Sequence, residues 1–444
     1  MDNARDAAVN VLHEVWDKDA YANVALAKCL RQRELSEVDR RFVTELVYGA
    51  VKAGKTLDWI LRRYVNRPLG KMPPMICHIL RLGLYQIFFM DKVPASAACN
   101  EAVELAKKYG HAGTVKLVNA VLRTAVREPE KAAFPSGKGH ATEQLALSAQ
   151  HPVWMVKRWI RTFGYEETVQ LCDFNNRQAI LSLRTNTLKI CREELLAQLQ
   201  QEGAAAEASE WAPEGILCRT HPALDSMASL QTGLFQVQDE SSMQAAYVLA
   251  PEPGEFVIDA CSAPGGKTTH IAALMKNQGR ILALDVYDHK LARIQENAKR
   301  LGIDIIETRL QDAREIGTLY ANQADRVLVD APCSGLGVLR RKPDARWKKS
   351  EELLSELPML QGAILQSAAA AVRPEGILVY STCTIEKEEN EAVVQSFLEK
   401  NTQFVLEDTG SFLPIRKRTE SMVQFYPQRD HTDGFFIARM RRKE

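Results

Sequence analysis

The sequence has 444 residues, of which 46% are apolar and 25% charged, a composition typical of a soluble globular protein that excludes a wholly disordered chain. Its length predicts two or three domains. No segment reaches the roughly 20 apolar residues that cross a bilayer, and the first residues lack the pattern of a signal peptide, so we expect a cytoplasmic protein that does not act at a membrane. Nine cysteines without any Cys-x-x-Cys spacing predict neither a disulfide framework nor a zinc site.

The net charge of +1 conceals an uneven distribution. Residues 1–128 carry 20 Lys and Arg against 14 Asp and Glu, whereas the remaining residues carry 37 against 42. A basic surplus favours a polyanionic partner such as nucleic acid, although an ordinary solvated surface gives the same balance.

Apolar residues recur at helical spacing through the first part of the chain, as at Leu46, Val47 and Val51. This periodicity predicts an all-α domain over residues 1–128. Residues 129–150 contain prolines, glycines and lysines without an apolar period, and we interpret them as a linker.

Two further regions follow the linker. Over residues 151–238 helical and extended patterns alternate, with a strand expected at 179–186, and we predict a small α+β module. Over residues 239–444 apolar strands alternate with helices of ten or more residues, which predicts a doubly wound parallel sheet of the Rossmann-like α/β class. The predicted strands are Phe256–Asp259, Arg280–Asp285, 303–308, 326–330 and 377–381, with a late pair at Phe404–Leu406 and 434–440.

Two cysteines follow two of these strands. Cys333 lies in the segment 330–335, Asp-Ala-Pro-Cys-Ser-Gly, and Cys383 lies in the segment 380–384, Tyr-Ser-Thr-Cys-Thr. The runs before them are continuous and rich in β-branched residues, and a helix predicted at about 350–372 joins them into a βαβ unit. Since the carboxyl ends of neighbouring parallel strands meet at one edge, both thiols are candidates for one reaction centre. A pair of buried structural thiols, or a disulfide, is the alternative.

A glycine-containing loop leads from the predicted strand at 256–259 into a helix. Its glycines allow close approach of the backbone to a ligand, and the helix N-terminus favours an anionic group. The loop reads Cys261, Ser262, Ala263, Pro264, Gly265, Gly266 and Lys267.

Two kinds of nucleotide site are compatible with this loop. A P-loop needs a glycine at the position of Cys261, so that match fails at one position, although Asp330 would serve as the metal-binding acid of a triphosphatase. A Rossmann-type site needs an acid about 20 residues after the glycines, and Asp285 lies 19 residues beyond Gly266. Asp285 is then a candidate for the ribose hydroxyls, and Asp312, after the third strand, for an adenine amino group.

Together these motifs resemble those of the S-adenosylmethionine-dependent RNA cytosine-5 methyltransferases of the Nol1/Nop2/Sun type. The segments 184–186 (Arg-Thr-Asn) and 236–242 (Gln-Val-Gln-Asp-Glu-Ser-Ser) also resemble this family, and the N-terminal helices resemble the RNA-binding fold of the antiterminator NusB. The whole architecture is similar to that of bacterial small-subunit ribosomal RNA methyltransferases. One departure is Ser262, where the family frequently has alanine.

The resemblance implies roles for individual residues. Cys383 is expected to add to C6 of the cytosine, Asp330 to hydrogen-bond N3, and Cys333 to assist release of the product, while Lys267 either tunes a thiol or contacts the cofactor. It also implies S-adenosyl-L-methionine as the cofactor and no metal. The residues implied in cofactor binding are Cys261, Ser262, Ala263, Pro264, Gly265, Gly266, Lys267, Asp285, Asp312 and Asp330.

The implied partner is 16S rRNA or an assembly intermediate of the small subunit, with no DNA, no membrane and no oligomer required. The NusB-like domain and the strand module would hold the RNA around an unpaired target base, with Arg40, Arg41, Arg62 and Arg63 as candidate phosphate contacts. The same chemistry on tRNA and an RNA-binding assembly factor with a vestigial cofactor fold remain as alternatives.

Overall fold

The computed structural model describes residues 3–137 and 139–444. The chain divides into two compact units. The first, called here the helical unit, comprises the residues up to Arg177 together with Leu339–Lys349; the second, called the sheet unit, comprises Gln178–Val338 and Ser350–Glu444.

The helices, in chain order, are α1 (Asn3–Asp17), α2 (Ala22–Gln32), α3 (Glu37–Leu61), α4 (Pro74–Phe89), α5 (Ala95–Tyr109), α6 (Ala112–Arg127), α7 (Ala141–Ser148), α8 (Val153–Phe163), α9 (Tyr165–Asn176), α10 (Arg192–Gln201), α11 (Ala228–Gln231), α12 (Glu240–Leu249), α13 (Gly266–Leu274), α14 (Asp288–Leu301), α15 (Ile316–Leu319), α16 (Ala345–Lys348), α17 (Leu353–Ala371), α18 (Glu391–Lys400) and α19 (Pro427–Asp430). The strands are β1 (Leu181–Thr185), β2 (Ala205–Ala208), β3 (Gly215–Thr220), β4 (Phe235–Val237), β5 (Phe256–Asp259), β6 (Arg280–Asp285), β7 (Ile306–Leu310), β8 (Ala324–Asp330), β9 (Val372–Thr382), β10 (Phe404–Leu406), β11 (Met422–Phe425) and β12 (Phe435–Arg442).

The helical unit is built around one apolar core that α1 to α6 share. Its longest helix is α3. The N-cap residue of α3 is Ser36, whose side chain accepts a hydrogen bond from the Asp39 N–H. Gly54 interrupts the same helix with φ of +36°. The predicted all-α N-terminal region is therefore confirmed, and the kink at Gly54 is a feature that helical periodicity does not reveal.

The segment interpreted as a linker needs one correction. It contains a 3-10 turn at Pro129–Ala132 and the helix α7, on which Leu145, Ala146 and Leu147 are buried. The prolines and glycines that precede α7 hid this short helix, because its two turns carry too few residues to establish a period.

The sheet unit contains two sheets. A small antiparallel sheet has the order β2-β3-β1-β4, and a large sheet has the order β10-β12-β9-β8-β5-β6-β7, with β11 beside β12. In the large sheet β9, β8, β5, β6 and β7 are parallel, whereas β10, β11 and β12 are antiparallel additions at one edge. The Rossmann-like α/β prediction is confirmed, but the sheet is mixed and β11 was missed.

Two predicted strand boundaries in this sheet differ from the structure by three residues or more. Ile303 does not begin the third strand, because it follows Gly302, which ends α14 in the left-handed conformation, and its side chain is buried. The strand β7 begins at Ile306 instead. The strand predicted at 377–381 begins earlier than expected: β9 starts at Val372, and the residues before Ile377 form an irregularity between two paired stretches.

Candidate active site

The two cysteines lie side by side, as the sequence predicted. The strands β8 and β9 pair directly, with Asp330 opposite Ser381, and the residues that follow these strand ends bring Cys333 and Cys383 together. Their sulfur atoms are 3.4 Å apart, and both cysteines are half-buried free thiols. The disulfide alternative is therefore not what the structure contains.

The two thiols are not equivalent. The pKa of Cys333 is raised well above its ordinary value by the hydrogen bond with Cys383, by burial and by the negative charge at Cys383. Cys333 therefore keeps its proton at neutral pH, and its thiol lies within hydrogen-bond distance of the Cys383 sulfur.

Lys267 also contributes to this site. It lies in the glycine-containing segment 261–267, which we call the cofactor loop. Its Nζ lies 2.7 Å from Asp330 Oδ2 and 4.9 Å from the centre of the Phe435 ring. Burial lowers the Lys267 pKa, but the charges of Asp330 and Cys383 raise it more, so the pKa is raised overall and the side chain is an ammonium. We call Lys267, Asp330, Cys333 and Cys383 the cysteine edge.

Both carboxylate oxygens of Asp330 accept hydrogen bonds. Lys267 binds Oδ2, and the hydroxyl of Ser381 donates to Oδ1 at 2.9 Å. The side chain of Asp330 remains 28% exposed, so it is fixed in direction yet open to a ligand.

A buried carboxylate supports the loop that carries Cys333. The backbone N–H of Ser334 donates to Glu389 Oε2 at 2.8 Å, and the Ser334 hydroxyl donates to Oε1. Gln361 donates to both Pro332 O and Glu389 at 3.0 Å. Sequence reasoning missed Glu389 and Gln361, because neither lies in a recognisable motif and each is brought to the loop from a distant element.

The cofactor loop has the expected form. Gly265 has φ of +96°, and a Cβ there would lie 3.3 Å from atoms of Ile294, so the turn requires glycine. The helix α13 begins at Gly266. Ser262, the departure from the family pattern, donates its hydroxyl to Leu284 O at 2.8 Å and so fastens the loop to β6.

Asp285 and Asp312 lie at the ends of the next two strands, as predicted. Asp285 ends β6 and accepts from the Tyr287 N–H at 3.1 Å. Asp312 follows β7 and accepts from the N–H and guanidinium of Arg314, which lower its pKa. Both carboxylates lie at the same edge of the sheet as the loop.

Arg184 connects the small sheet to the cofactor loop. Its guanidinium is buried and donates to Gln238, to Gly266 O at 2.5 Å and to Thr269 Oγ1 at 2.9 Å. Burial lowers its pKa to about 10, so it stays charged at neutral pH. The family-like segments around Arg184 and Gln238 therefore position the first turn of α13.

Asp259 is a buried acid at the end of β5 that the sequence did not single out. Its Oδ2 accepts from Thr268 at 2.7 Å, whereas Oδ1 has no partner among the described residues. Burial raises its pKa to about 7, with a further contribution from the charge of Asp330.

Over the described ranges, no helix is long and apolar enough to cross a membrane. The same ranges contain one group with metal-ligand geometry, formed by His13, Asp17 and His78 in the helical unit. Arg81 Nη1 lies 3.2 Å from His78 Nδ1, so Nδ1 accepts and the other ring nitrogen donates to Asp17 at 2.5 Å. Hydrogen bonds account for this cluster.

Three family models match the chain. The NusB family model matches residues 2–127, the model described as Methyltr_RsmF/B-like, ferredoxin-like domain matches 151–224, and the model of the 16S rRNA methyltransferase RsmB/F matches 246–441.

Individual relatives match over nearly the whole length. The chain is 39% identical to the probable ribosomal RNA small subunit methyltransferase B of Bacillus subtilis (strain 168), with 99% of each chain covered. Among solved structures, that of PH0851 has a TM-score of 0.85 at 29% identity and covers 99% of this chain and 97% of its own. NSun6 from Pyrococcus horikoshii with SFG has a TM-score of 0.59 at 27% identity and covers 65% of this chain and 97% of its own.

Proposed function

The chain belongs to the ribosomal RNA small subunit methyltransferase B family, and from that premise we propose that it methylates C5 of a cytosine in 16S rRNA through a covalent adduct with Cys383. Methyl transfer to RNA is the activity of the family. The choice of atom, the covalent intermediate and the roles of individual residues are our proposal, and the 3.4 Å pair of thiols beside Lys267 is the observation that carries it.

The adduct solves a problem of reactivity. C5 of cytosine is a poor nucleophile, and addition of a thiolate to C6 moves electron density onto C5, which divides one difficult step into two easier ones. We assign Cys383 as the attacking thiolate, because the protonated Cys333 thiol lies 3.4 Å from its sulfur and the charge of Cys383 is one of those that raise the Lys267 pKa. After methylation, a water that the Cys333 thiol orients removes the C5 proton, and Cys383 leaves as the C5–C6 double bond forms again.

Asp330 is placed to bind the base. Negative charge develops towards N3 as the thiolate adds, and a hydrogen-bond donor there stabilises it. Asp330 carries the proton that it shares with N3 as the thiolate adds. The Lys267 ammonium, 2.7 Å from the same carboxyl group, stabilises the negative charge left on Asp330 when that proton moves towards the base. Ser381 keeps the carboxyl group oriented through its bond to the other oxygen.

The residues present fit S-adenosyl-L-methionine. Gly265 and Gly266 open the backbone, the free N–H groups of α13 favour a carboxylate, and Asp285 and Asp312 offer acceptors for ribose hydroxyls and an adenine amino group. When bound, this cofactor supplies the electrophilic methyl group. NSun6, whose solved structure contains the S-adenosylmethionine analogue SFG, supports the assignment.

The substrate follows from the two units together. The helical unit matches the NusB family, and the basic surplus of residues 1–128 suits a polyanion, so we favour 16S rRNA or a small-subunit assembly intermediate in the cytoplasm over tRNA. The methyltransferase family match sets the triphosphatase alternative aside.

The role assignment is tested on a denaturing gel. We expect the Cys333→Ala variant to accumulate a covalent protein–RNA adduct, because it forms the C6 bond but releases product slowly. The Cys383→Ala variant should form none. Adducts from both variants, or full activity without Cys383, would exclude the assignment.

The substrate is tested by bisulfite sequencing of total RNA from cells with and without the gene. A cytosine in 16S rRNA that loses its protection on deletion supports the proposal. Loss of a tRNA site instead would keep the chemistry and overturn the substrate. No change, together with no binding of S-adenosyl-L-methionine by calorimetry, would favour the assembly-factor alternative.

A further inference from the structure

The helical unit contains a pocket that the proposed reaction does not use. Its volume is about 510 Å³, within the range of small-molecule and nucleotide sites. The walls come from α3, from the segment 151–154 that leads into α8, and from the inserted segment Leu339–Lys349. All of these belong to the helical unit.

Three indole rings line this pocket. Trp59, Trp154 and Trp347 are half of the six tryptophans in the chain, and each is partly exposed. We call this site the tryptophan pocket. A concentration of indoles in one concave surface supplies flat, polarisable faces for stacking a planar ligand.

One of the indoles is held rigidly. Trp347 Nε1 donates to Lys52 O at 3.0 Å, and a Cβ on Gly54 would lie 2.2 Å from the same nitrogen. The kink of α3 at Gly54 therefore opens the space in which the Trp347 ring is seated. Trp347 also lies 14 residues beyond Cys333, in the connection between β8 and β9 that carries the proposed catalytic thiol.

The charge around the tryptophan pocket is positive. Lys55, Arg62 and Lys349 line it, and none of them forms an ion pair with another described residue. The one acid in the lining, Asp58, is already paired with Arg81 at 2.6 Å. Unpaired cations beside aromatic rings are the chemistry that binds the phosphates and bases of single-stranded nucleic acid.

Two buried polar atoms in the wall lack a hydrogen-bond partner in the part of the chain that the structure describes. His151 is 2% exposed, and its Nδ1 lies 2.7 Å from Ala149 O, so Nδ1 donates and Nε2 is an acceptor without a partner. Burial lowers the pKa of His151 well below its ordinary value, which keeps the ring neutral. The hydroxyl of Thr56, which is 1% exposed, also has no partner. Such groups are costly unless a ligand completes them.

We propose that the tryptophan pocket binds an unstacked RNA base that carries an exocyclic amino group, with the neighbouring phosphates on Lys55, Arg62 and Lys349. The amino group donates to His151 Nε2, and the ring stacks on the indoles. This inference rests on the proposed RNA substrate and adds a second contact site to it, separate from the methylated base, in a single-stranded part of the RNA.

The test is a fluorescence titration with RNA pentamers of adenosine and of uridine. We expect the adenosine pentamer to quench tryptophan fluorescence saturably and the uridine pentamer to bind more weakly, because uracil has no exocyclic amino group. Trp154→Ala should weaken binding of the adenosine pentamer roughly 5- to 150-fold, which is the effect of losing one base-stacking contact of about 1–3 kcal/mol. Lys55→Ala should lower the salt dependence by about one phosphate contact. Lys116→Ala, an exposed lysine of the helical unit outside the pocket, is the matched control.

A crosslinking experiment on the wild-type chain locates the RNA without relying on a variant that could misfold. Ultraviolet crosslinking of the wild-type chain to the adenosine pentamer, followed by mass spectrometry, should mark peptides that contain Trp59, Trp154 or Trp347. Crosslinks confined to other peptides, or equal affinity of Trp154→Ala and wild type, would overturn the inference.

The methylation assay separates this inference from the proposed function. In Trp154→Ala we expect the KM for RNA to rise by a larger factor than kcat falls. Wild-type methylation of 16S rRNA with an unchanged KM in the variant would reject the pocket and keep the proposed function. Pentamer binding in the pocket without any RNA methylation would reject the proposed function and keep the pocket.

Discussion

The cysteine edge and the tryptophan pocket differ in how their polar groups are satisfied. At the cysteine edge, Lys267 pairs with Asp330, and Cys333 with Cys383, before any substrate is present. In the tryptophan pocket, by contrast, three cations have no ion-pair partner, and two buried polar atoms, His151 Nε2 and Thr56 Oγ1, have no hydrogen-bond partner among the described residues. In the proposals made above, the first site is preorganised for a reaction and the second is completed by a ligand.

The largest loss of activity is expected when the cation of the cysteine edge is removed. Lys267→Met should lower methylation roughly 100-fold or more, because the ammonium stabilises the negative charge that develops on Asp330 as this residue shares its proton with N3. Single-turnover methylation at saturating RNA measures the effect. Lys299→Met, an exposed lysine on α14, should retain full activity. A similar rate for Lys267→Met and wild type would mean that preorganisation of this pair is not needed.

A smaller effect is expected from the carboxylate that supports the Cys333 loop. Glu389→Ala leaves the Ser334 N–H without its acceptor and removes one of the two acceptors of the Gln361 amide, and a buried unpaired group costs roughly 1–3 kcal/mol. We expect accumulation of the covalent adduct, as in Cys333→Ala, together with a lower midpoint in urea unfolding. Glu388→Ala changes an exposed neighbour and should do neither.

The third prediction concerns pH. The folded-state pKa of Asp259 is about 7 against an ordinary value of 3.8, so the folded protein holds a proton that the unfolded chain releases between these values. The stabilisation from this group is present in full below pH 3.8 and is lost as pH rises towards 7. The Asp259→Asn variant lacks this loss, and its stability relative to wild type should rise by about 1 kcal/mol per pH unit in that window. Urea unfolding of both proteins at pH 5 and pH 7 measures the difference, and parallel pH profiles would contradict it.

The smallest expected effect tests the rigid wall of the tryptophan pocket. Gly54→Ala introduces a Cβ 2.2 Å from Trp347 Nε1 at a residue with positive φ, so we expect a loss of about 1 kcal/mol or more and weaker binding of the adenosine pentamer. Gly70→Ala, where a Cβ would meet nothing within 4 Å, is the matched control. Thermal melting reports the stability, and equal melting of both variants would show that the kink adapts to a side chain.

Much of the large sheet could be predicted because its strands carry local signals. The predicted boundaries of β5 and β6 agree with the structure, since each is a continuous apolar run that ends in aspartate. The start of β7 was predicted too early, because the apolar residue Ile303 does not belong to the strand. It follows the C-terminus of α14. The strand β11 has only four residues and is defined by its pairing with β12, which no local pattern reveals.

The two sites differ in the same respect. Asp330, Cys333 and Cys383 of the cysteine edge lie in short motifs at or after the ends of two neighbouring strands, so parallel strand order predicts that they meet, whereas it does not predict the contact of Lys267 with Asp330. The tryptophan pocket draws Lys55, Trp154 and Trp347 from segments far apart in the chain, and none of these positions stands out in the sequence. Glu389 and Arg184 lie between these two cases. Each hydrogen-bonds to the backbone of a motif from a segment outside that motif.

The sequence by itself therefore determined the α/β class, the helical N-terminal region, the loop that suits S-adenosyl-L-methionine and the meeting of Cys333 with Cys383. These follow from hydrophobic periodicity and from the rule that parallel strands end at one edge. Only the tertiary structure decided which thiol keeps its proton, that Lys267 faces Asp330, and that Leu339–Lys349 belongs to the helical unit. The reason is physical: protonation and partner choice depend on burial and on charges within a few ångströms, and those neighbours come from parts of the chain that local patterns do not connect.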